Sequence, residues 1–192
     1  EYAFEGCSNI NSFNVKSNDY FCSEDGVLYN KDKTELIQFI GNSNLIDFTV
    51  PSSVKKIRDG AFSDLKLNSI KLNDGLEYIG DYAFSNTNIT EINLPESLEE
   101  IGDYSFSNTN IKNITFPGSI KKIGNYSFKN CADLVKISFT SENTPEIESN
   151  AFWGCGLSSI NLLSSAINSK DEYIKEILAL NIDNADNFIT KE

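Results

Sequence analysis

A repeat of 22 residues constrains this chain more than any other feature of its sequence. The segment NDGLEYIGDYAFSNTNITEINLP at 73–95 is followed by ESLEEIGDYSFSNTNIKNITFP at 96–117, so that like residues recur at a fixed spacing. Such a period is typical of a solenoid, in which each repeat forms one turn and stacks on the next. Extending the register gives three apolar columns: Ile57, Ile79, Ile101, Ile123 and Ile147; Phe62, Phe84, Phe106, Phe128 and Phe152; and Ile70, Ile92, Ile114, Ile137 and Ile160.

The third apolar column indicates a β-strand. Each of its isoleucines is followed two residues later by another apolar residue, as in Ile92 and Leu94. Alternate side chains of a strand share a face, so Ile92 and Leu94 point inward while Glu91 and Asn93 point outward. The sequence therefore predicts one short strand in each repeat and a core of stacked apolar columns.

Two polar columns occupy the outward positions of these predicted strands. Their residues vary between repeats while the core residues stay fixed, which favours recognition at this surface. The first column is Asp47, Ser69, Glu91, Asn113, Lys136 and Ser159, and the second is Thr49, Lys71, Asn93, Thr115, Ser138 and Asn161. We predict that the binding surface is formed by the central members Glu91, Asn93, Asn113, Thr115, Lys136 and Ser138.

The repeat motif also resembles a known family. The spacing LxxIxLPxSLxxIGxxAFxxC, read in ITEINLPESLEEIGDYSFSNT and in IKKIGNYSFKNCADLVKISF, is similar to the BspA-type leucine-rich repeats of microbial surface proteins. The resemblance covers residues 2–162. Thr87 and Thr109 depart from it, because the family usually has cysteine there. The glycine of the IG dipeptide is kept only at Gly80, Gly102 and Gly124.

This resemblance carries expectations about fold and function. It implies an α/β or mainly-β solenoid, a leucine-rich repeat array of about six rungs of 22–24 residues. It also implies a non-enzymatic, extracellular or cell-surface module of adhesin type. Such a module would bind a protein ligand, from a host, a neighbouring cell or the matrix, through the outward strand face. The alternative is a passive spacer within a larger surface protein.

The solenoid is predicted to span residues 1–162, with a modified repeat at about 16–50. Within it, DGVLYNKDKTELIQFI at 25–40 predicts a β-hairpin, because two apolar runs flank a polar turn. The hairpin either continues the sheet in place of an ordinary rung or protrudes to form part of a ligand site. The chain opens in mid-repeat at Phe4 and Cys7 and contains no methionine, which favours a segment of a longer repeat protein.

Residues 163–192 are predicted to form a C-terminal cap and tail. Ser169 and Glu172 have the spacing of a capping box. Tyr173, Ile174, Ile177 and Leu178 follow as an apolar stripe of helical period. A helix from about 171 to 180 should therefore cover the last rung, since repeat arrays need a polar-faced cap.

Composition excludes several classes of function. The chain has no histidine, so it lacks Ser-His and Cys-His couples and histidine metal ligands. There is no CxxC spacing for zinc, and we predict no catalytic residue, no metal and no cofactor. A net charge of −12 argues against unaided binding to nucleic acid. No apolar run is long enough to insert into a membrane.

Cysteine, asparagine and tyrosine also recur at fixed places in the repeats, and the cysteines and tyrosines each allow two interpretations. Cys131 and Cys155 fall at the same place in consecutive repeats, where a disulfide is sterically permitted, but threonine in sister repeats favours two free thiols. Asparagine recurs two residues after the phenylalanine and predicts a ladder between turns. Tyrosine recurs two residues before it and forms either an aromatic binding stripe or a mutual stack. The residues are Asn86, Asn108 and Asn130, and Tyr82, Tyr104 and Tyr126.

Overall fold

The structure is a computed structural model that describes residues 10, 12–15, 18–40, 47–141 and 145–161, and the backbone of 162 and 189–191. Within these ranges the chain forms short strands joined by turns, with no helix. The fold is a mainly-β solenoid. Its strands are β1 Phe21–Glu24, β2 Val27–Asn30, β3 Glu35–Phe39, β4 Asp47–Thr49, β5 Lys56–Ile57, β6 Ser69–Lys71, β7 Tyr78–Ile79, β8 Glu100–Ile101, β9 Asn113–Phe116, β10 Lys122–Ile123, β11 Lys136–Phe139, β12 Glu146–Ile147, β13 Ser159–Leu162 and β14 Ile189–Lys191.

The strands form three sheets. Sheet A has eight strands in the order β1-β2-β3-β5-β7-β8-β10-β12, and it is parallel from β3 onward. Sheet B pairs β4 with β6, and sheet C has the order β14-β13-β11-β9. Sheets B and C contain most of the predicted strands, whereas most of sheet A consists of two-residue strands at the first isoleucine column. The prediction of one strand per repeat was therefore wrong, because two residues are too few to show an alternating pattern.

The apolar columns form the core in the predicted register. Phe84, Phe106 and Phe128 are completely buried, and their rings stack with centroids 5.1 and 5.2 Å apart. Ile101 pairs with Ile79 on one side and Ile123 on the other. Each rung thus buries its apolar residues against copies of themselves, so the core grows by neighbour contacts alone.

The predicted asparagine ladder is confirmed. The Nδ2 of Asn108 donates to Oδ1 of Asn86 at 2.7 Å, and Nδ2 of Asn130 donates to Oδ1 of Asn108 at 3.0 Å. The ladder starts at Asp64, whose carboxylate accepts a hydrogen bond from Asn86. All four residues have positive φ, between 57° and 61°, a conformation that asparagine and aspartate tolerate in turns.

A second ladder, made of aspartates, explains why glycine recurs in the IG dipeptide of three repeats. The carboxylate of Asp59 accepts the backbone N–H of Asp81, and Asp81 in turn accepts the N–H of Asp103 at 2.8 Å. A Cβ on Gly102 would lie 2.7 Å from the backbone nitrogen of Asp81 and would collide with its carboxylate. Glycine is needed because the rungs approach each other closely here. Burial and the charges of the two neighbouring aspartates raise the pKa of Asp81, although the bond from Asp103 opposes this.

Two predicted features lie outside the described residues. The capping helix at 171–180 is one, and the opening half-repeat around Phe4 and Cys7 is the other. Near the C-terminus, β14 pairs in parallel with β13, with Ile189 opposite Ile160. The end of the chain therefore adds one strand to sheet C.

Candidate functional site

The two outward columns have the predicted register within each sheet. Lys136 lies opposite Asn113, and Ser138 lies opposite Thr115. Strand β9 alternates exposed and buried residues, so that its polar side chains face outward. Asn161, at the end of the second column, is an exception because it is 8% exposed.

The six predicted binding residues share one property. Glu91, Asn93, Asn113 and Thr115 are exposed, and Lys136 and Ser138 are half-buried. Within the described ranges, none of these six side chains makes a hydrogen bond or an ion pair. Their polar groups are therefore open to a partner.

The ion pairs of the described residues lie elsewhere. All five join side chains in or beside the strands of sheet A. They are Lys33–Glu24, Lys55–Glu77, Arg58–Glu35, Lys121–Glu99 and Lys122–Glu148. The charges over sheet A thus largely neutralise one another, whereas those of the outward columns are not paired within the chain.

The outward face is interrupted in the middle. Residues 91–94, which were predicted to form a strand, are not in one, and sheets B and C end on either side of them. Among the described residues, Glu91 to Leu94 make no backbone hydrogen bond. On the other side of the same rungs β7 pairs with β8, so the solenoid itself is continuous.

Two prolines contribute to the interruption, each by removing one backbone donor at the end of a strand position. In sheet C the N–H of Thr140 donates to the carbonyl of Phe116 at 3.1 Å, which closes the end of that strand pair. Pro117 and Pro95 occupy the position of Thr140 in the two preceding rungs. Proline has no N–H, so the corresponding bonds cannot form. We call the segment 91–94 with its two flanking prolines the sheet break.

A depression of about 450 Å³ lies at the sheet break. Four of the six predicted binding residues line it, namely Glu91, Asn93, Asn113 and Thr115. Lys136 and Ser138 do not line it. Sequence reasoning missed Thr90, Glu96 and Lys112, which also line it. The signal that could have found them is the pair of prolines in consecutive rungs, since these predict missing backbone donors.

The segment 25–40 is part of sheet A. β2 and β3 pair antiparallel, and β3 continues in parallel to β5. Val27, Leu36 and Phe39 are buried in the core, so the segment replaces an ordinary rung. The sequence did not predict β1, which pairs antiparallel with β2 and carries the exposed Phe21.

The tyrosines of consecutive rungs form a stack. The rings of Tyr82 and Tyr104 lie 4.8 Å apart and those of Tyr104 and Tyr126 lie 5.0 Å apart. Lys129 lies over the last of these rings and over Trp153, at 5.0 and 5.3 Å from the centroids. All three tyrosines have positive φ, between 54° and 56°, which costs a non-glycine residue about 1–2 kcal/mol. Stacking is thus the observed arrangement, and it offsets part of this strain.

The thiols of Cys131 and Cys155 are free. Cys131 is fully buried and donates to the carbonyl of Phe106, and Cys155 donates to that of Phe128. The hydrogen bond with Cys131 and burial raise the pKa of the Cys155 thiol. These contacts are those of small core residues.

The described residues were also searched for metal sites and membrane helices. They contain no group of three or more cysteine, aspartate or glutamate side chains placed to hold a metal ion. The same part of the chain has no helix with the length and apolar character to cross a membrane.

Parallel two-residue strands, apolar columns in register and ladders of identical polar side chains define a repeat protein of the solenoid class. Within that class, the chain belongs to the BspA-type leucine-rich repeat family, whose model matches residues 38–158 in 6 copies. No curated protein sequence matches the chain.

Several solved structures are similar to this one. The pneumococcal vaccine antigen PcpA is 28% identical with a TM-score of 0.76, and the match covers 93% of this chain and 49% of that chain. The leucine-rich repeat protein of T. pallidum is 25% identical with a TM-score of 0.62, covering 77% and 71%. A leucine-rich repeat protein of Bacteroides ovatus shares the fold, at 21% identity and a TM-score of 0.59, covering 79% and 49%. The chain thus spans about half the length of PcpA.

Proposed function

We propose that this chain is a non-enzymatic recognition module, displayed at a cell surface or outside the cell, that binds a protein ligand through its outward columns. The binding surface is centred on Glu91, Asn93, Asn113 and Thr115 and extends to Lys136 and Ser138. The observation that carries the proposal is that all six side chains lack a partner within the described part of the chain.

The contrast between the two faces supports this choice of surface. On sheet A many of the charged side chains are paired with one another, and a ligand would have to break those pairs before binding to them. On the outward columns the hydrogen-bonding groups are exposed and free of that cost. Surfaces that recognise proteins combine many such polar contacts around a less polar centre, and Leu94 and Pro117 supply apolar lining at the sheet break.

Family membership supports the proposed location. The chain belongs to a family of leucine-rich repeats, and the similar PcpA is described as a vaccine antigen. An antigen that serves as a vaccine has to be accessible to antibodies. By this analogy, the module is displayed where a protein from another cell or from the matrix can reach it.

A panel of purified extracellular-matrix and cell-surface proteins, measured by surface plasmon resonance, tests the proposal. At least one of them should bind saturably, and the affinity should fall as salt rises, because exposed charges are screened beyond about 10 Å at 0.1 M. Replacing the six residues with alanine should weaken this binding by at least tenfold, or about 1.4 kcal/mol. Each single substitution should weaken it only in part, since the contacts are spread over three rungs.

The matched control replaces Tyr20 and Phe21 with serine. Tyr20 directly precedes β1 and Phe21 is its first residue, and both are exposed. Because β1 pairs with β2, the variant tests a site at the hairpin region without disturbing the core. If this variant loses the ligand and the six-residue variant keeps it, then the outward columns are scaffold and the hairpin region is the site. If no protein of the panel binds, the result favours the passive spacer over the recognition module.

A further inference from the structure

Charged side chains without partners converge on the sheet break. Glu91 lies near the end of one repeat, Glu96 opens the next repeat and Lys112 lies later in that same repeat. All three line the depression of about 450 Å³. Among the described residues, none of the three side chains takes part in an ion pair or a hydrogen bond. The two carboxylates therefore leave an unneutralised acidic edge beside an opening of the sheet.

The backbone of the same segment adds acceptors to this edge. The carbonyl groups of Glu91 to Leu94 accept no backbone hydrogen bond in the described part of the chain. For the carbonyl of Leu94 the reason is Pro117, which lacks the N–H that Thr140 supplies in the next rung. Backbone groups that are not paired within a protein are satisfied by water or by a ligand. The break therefore combines carboxylate oxygens with backbone carbonyl oxygens that accept no backbone hydrogen bond in the described part of the chain.

This combination fits a particular kind of side chain. A guanidinium group presents five N–H donors in a planar fork and no acceptor, so it can engage a carboxylate and neighbouring carbonyl oxygens together. The net charge of −12 favours the approach of a cation as well. A depression of this size can hold a single side chain, whereas an additional strand has no room between two rungs that remain paired through β7 and β8.

We propose that the sheet break receives an arginine side chain from the protein ligand, with the carboxylates of Glu91 and Glu96 as its charge partners. This proposal rests on the proposed function and names the chemistry of its central contact. Asn93, Asn113 and Thr115 surround the depression and bind the backbone that flanks the arginine. Lys112 also lines the depression, and its charge opposes the incoming cation.

A short peptide with one arginine among glycines and serines is the probe, titrated into isotopically labelled protein and followed by NMR. Its binding should shift the amide signals of 90–96 and 112–115 and reach saturation. The same peptide with citrulline, which is neutral and nearly equal in shape, should bind at least tenfold more weakly. Equal shifts with both peptides would overturn the role of charge.

Two double variants that change the net charge equally distinguish binding at the sheet break from attraction of the peptide to the whole charged chain. Glu91→Gln with Glu96→Gln should weaken binding of the arginine peptide by about tenfold or more, equivalent to about 1.4 kcal/mol. The control is Glu100→Gln with Glu146→Gln, two exposed carboxylates on sheet A that flank Lys122 in register, and it should stay within twofold. Lys112→Gln should strengthen binding, a change of opposite sign. If both double variants lose binding equally, the attraction is that of the whole charged chain and the site is refuted.

These experiments distinguish failure of the arginine contact from failure of the proposed function. A protein ligand that is lost with the six-residue variant, but is unaffected by Glu91→Gln with Glu96→Gln, would keep the outward columns as the binding surface and refute the arginine contact. If the arginine peptide binds at the sheet break but no protein ligand binds the chain, the proposed function alone is refuted.

Discussion

Removing the ring of Phe106 is the sharpest test of how the solenoid is held together. The residue is completely buried and its ring stacks between those of Phe84 and Phe128, at 5.1 and 5.2 Å. Phe106→Ala therefore removes a full aromatic side chain and two ring contacts from the centre of the array. The expected loss is about 3–5 kcal/mol, which includes the cavity left behind.

Urea unfolding followed by far-ultraviolet circular dichroism measures this loss. In a parallel thermal melt of a chain of this length each kcal/mol lowers the Tm by about 2–4 °C, so the Tm should fall by roughly 6–20 °C. The slope of the urea transition has to stay unchanged for the shift of the urea midpoint to report a change in stability. Phe21→Ala is the control, because the same atoms are removed from an exposed ring, and its effect should be within about 0.5 kcal/mol. A loss below about 1 kcal/mol for Phe106→Ala would refute the stacked core.

Three further predictions follow from the rung contacts. Gly102→Ala should cost about 1–3 kcal/mol because the new methyl group meets the backbone of Asp81, whereas Gly118→Ala meets only a side chain and should be nearly neutral; equal effects in urea would contradict the close approach. The raised pKa of Asp81 means that its charge destabilises the folded state above that pKa, and this penalty disappears as the pH falls through it. Asp81→Asn should therefore raise stability at pH 7 more than at about pH 4, and a variant less stable than the parent at pH 7 would show that the carboxylate is needed. Alkylation of the unfolded, unreduced chain followed by mass spectrometry should label both Cys131 and Cys155, and protection of the pair would mean a disulfide.

Repetition is what made much of the fold predictable. When identical side chains recur every 22 residues, the contacts of one rung are copied in the next, so Phe84, Phe106 and Phe128 could be placed in one column from their spacing alone. The same reasoning placed the ladder through Asn86 and Asn108, which the hydrogen bonds confirm. Residues that do not repeat carry no such signal.

The candidate site shows where that reasoning stops. The sequence placed Glu91 and Asn93 on an outward strand, and they lie instead at a break where no strand forms. It gave no reason to join Glu96 and Lys112 to them, because these residues lie outside the alternating pattern of the predicted strands. Their convergence on one depression depends on how the chain turns after each strand.

Sequence alone thus determined the register of the solenoid, its core columns and the polar character of its outward face, since each depends only on which residue types recur at the repeat spacing. Tertiary structure decided the two-residue strands of sheet A, the collision that requires Gly102, the pairing of charges over sheet A and the depression beside Pro95 and Pro117. These depend on separations of a few ångströms between neighbouring rungs. A hydrogen bond forms or fails over such a distance, and a repeat pattern in the sequence does not record it.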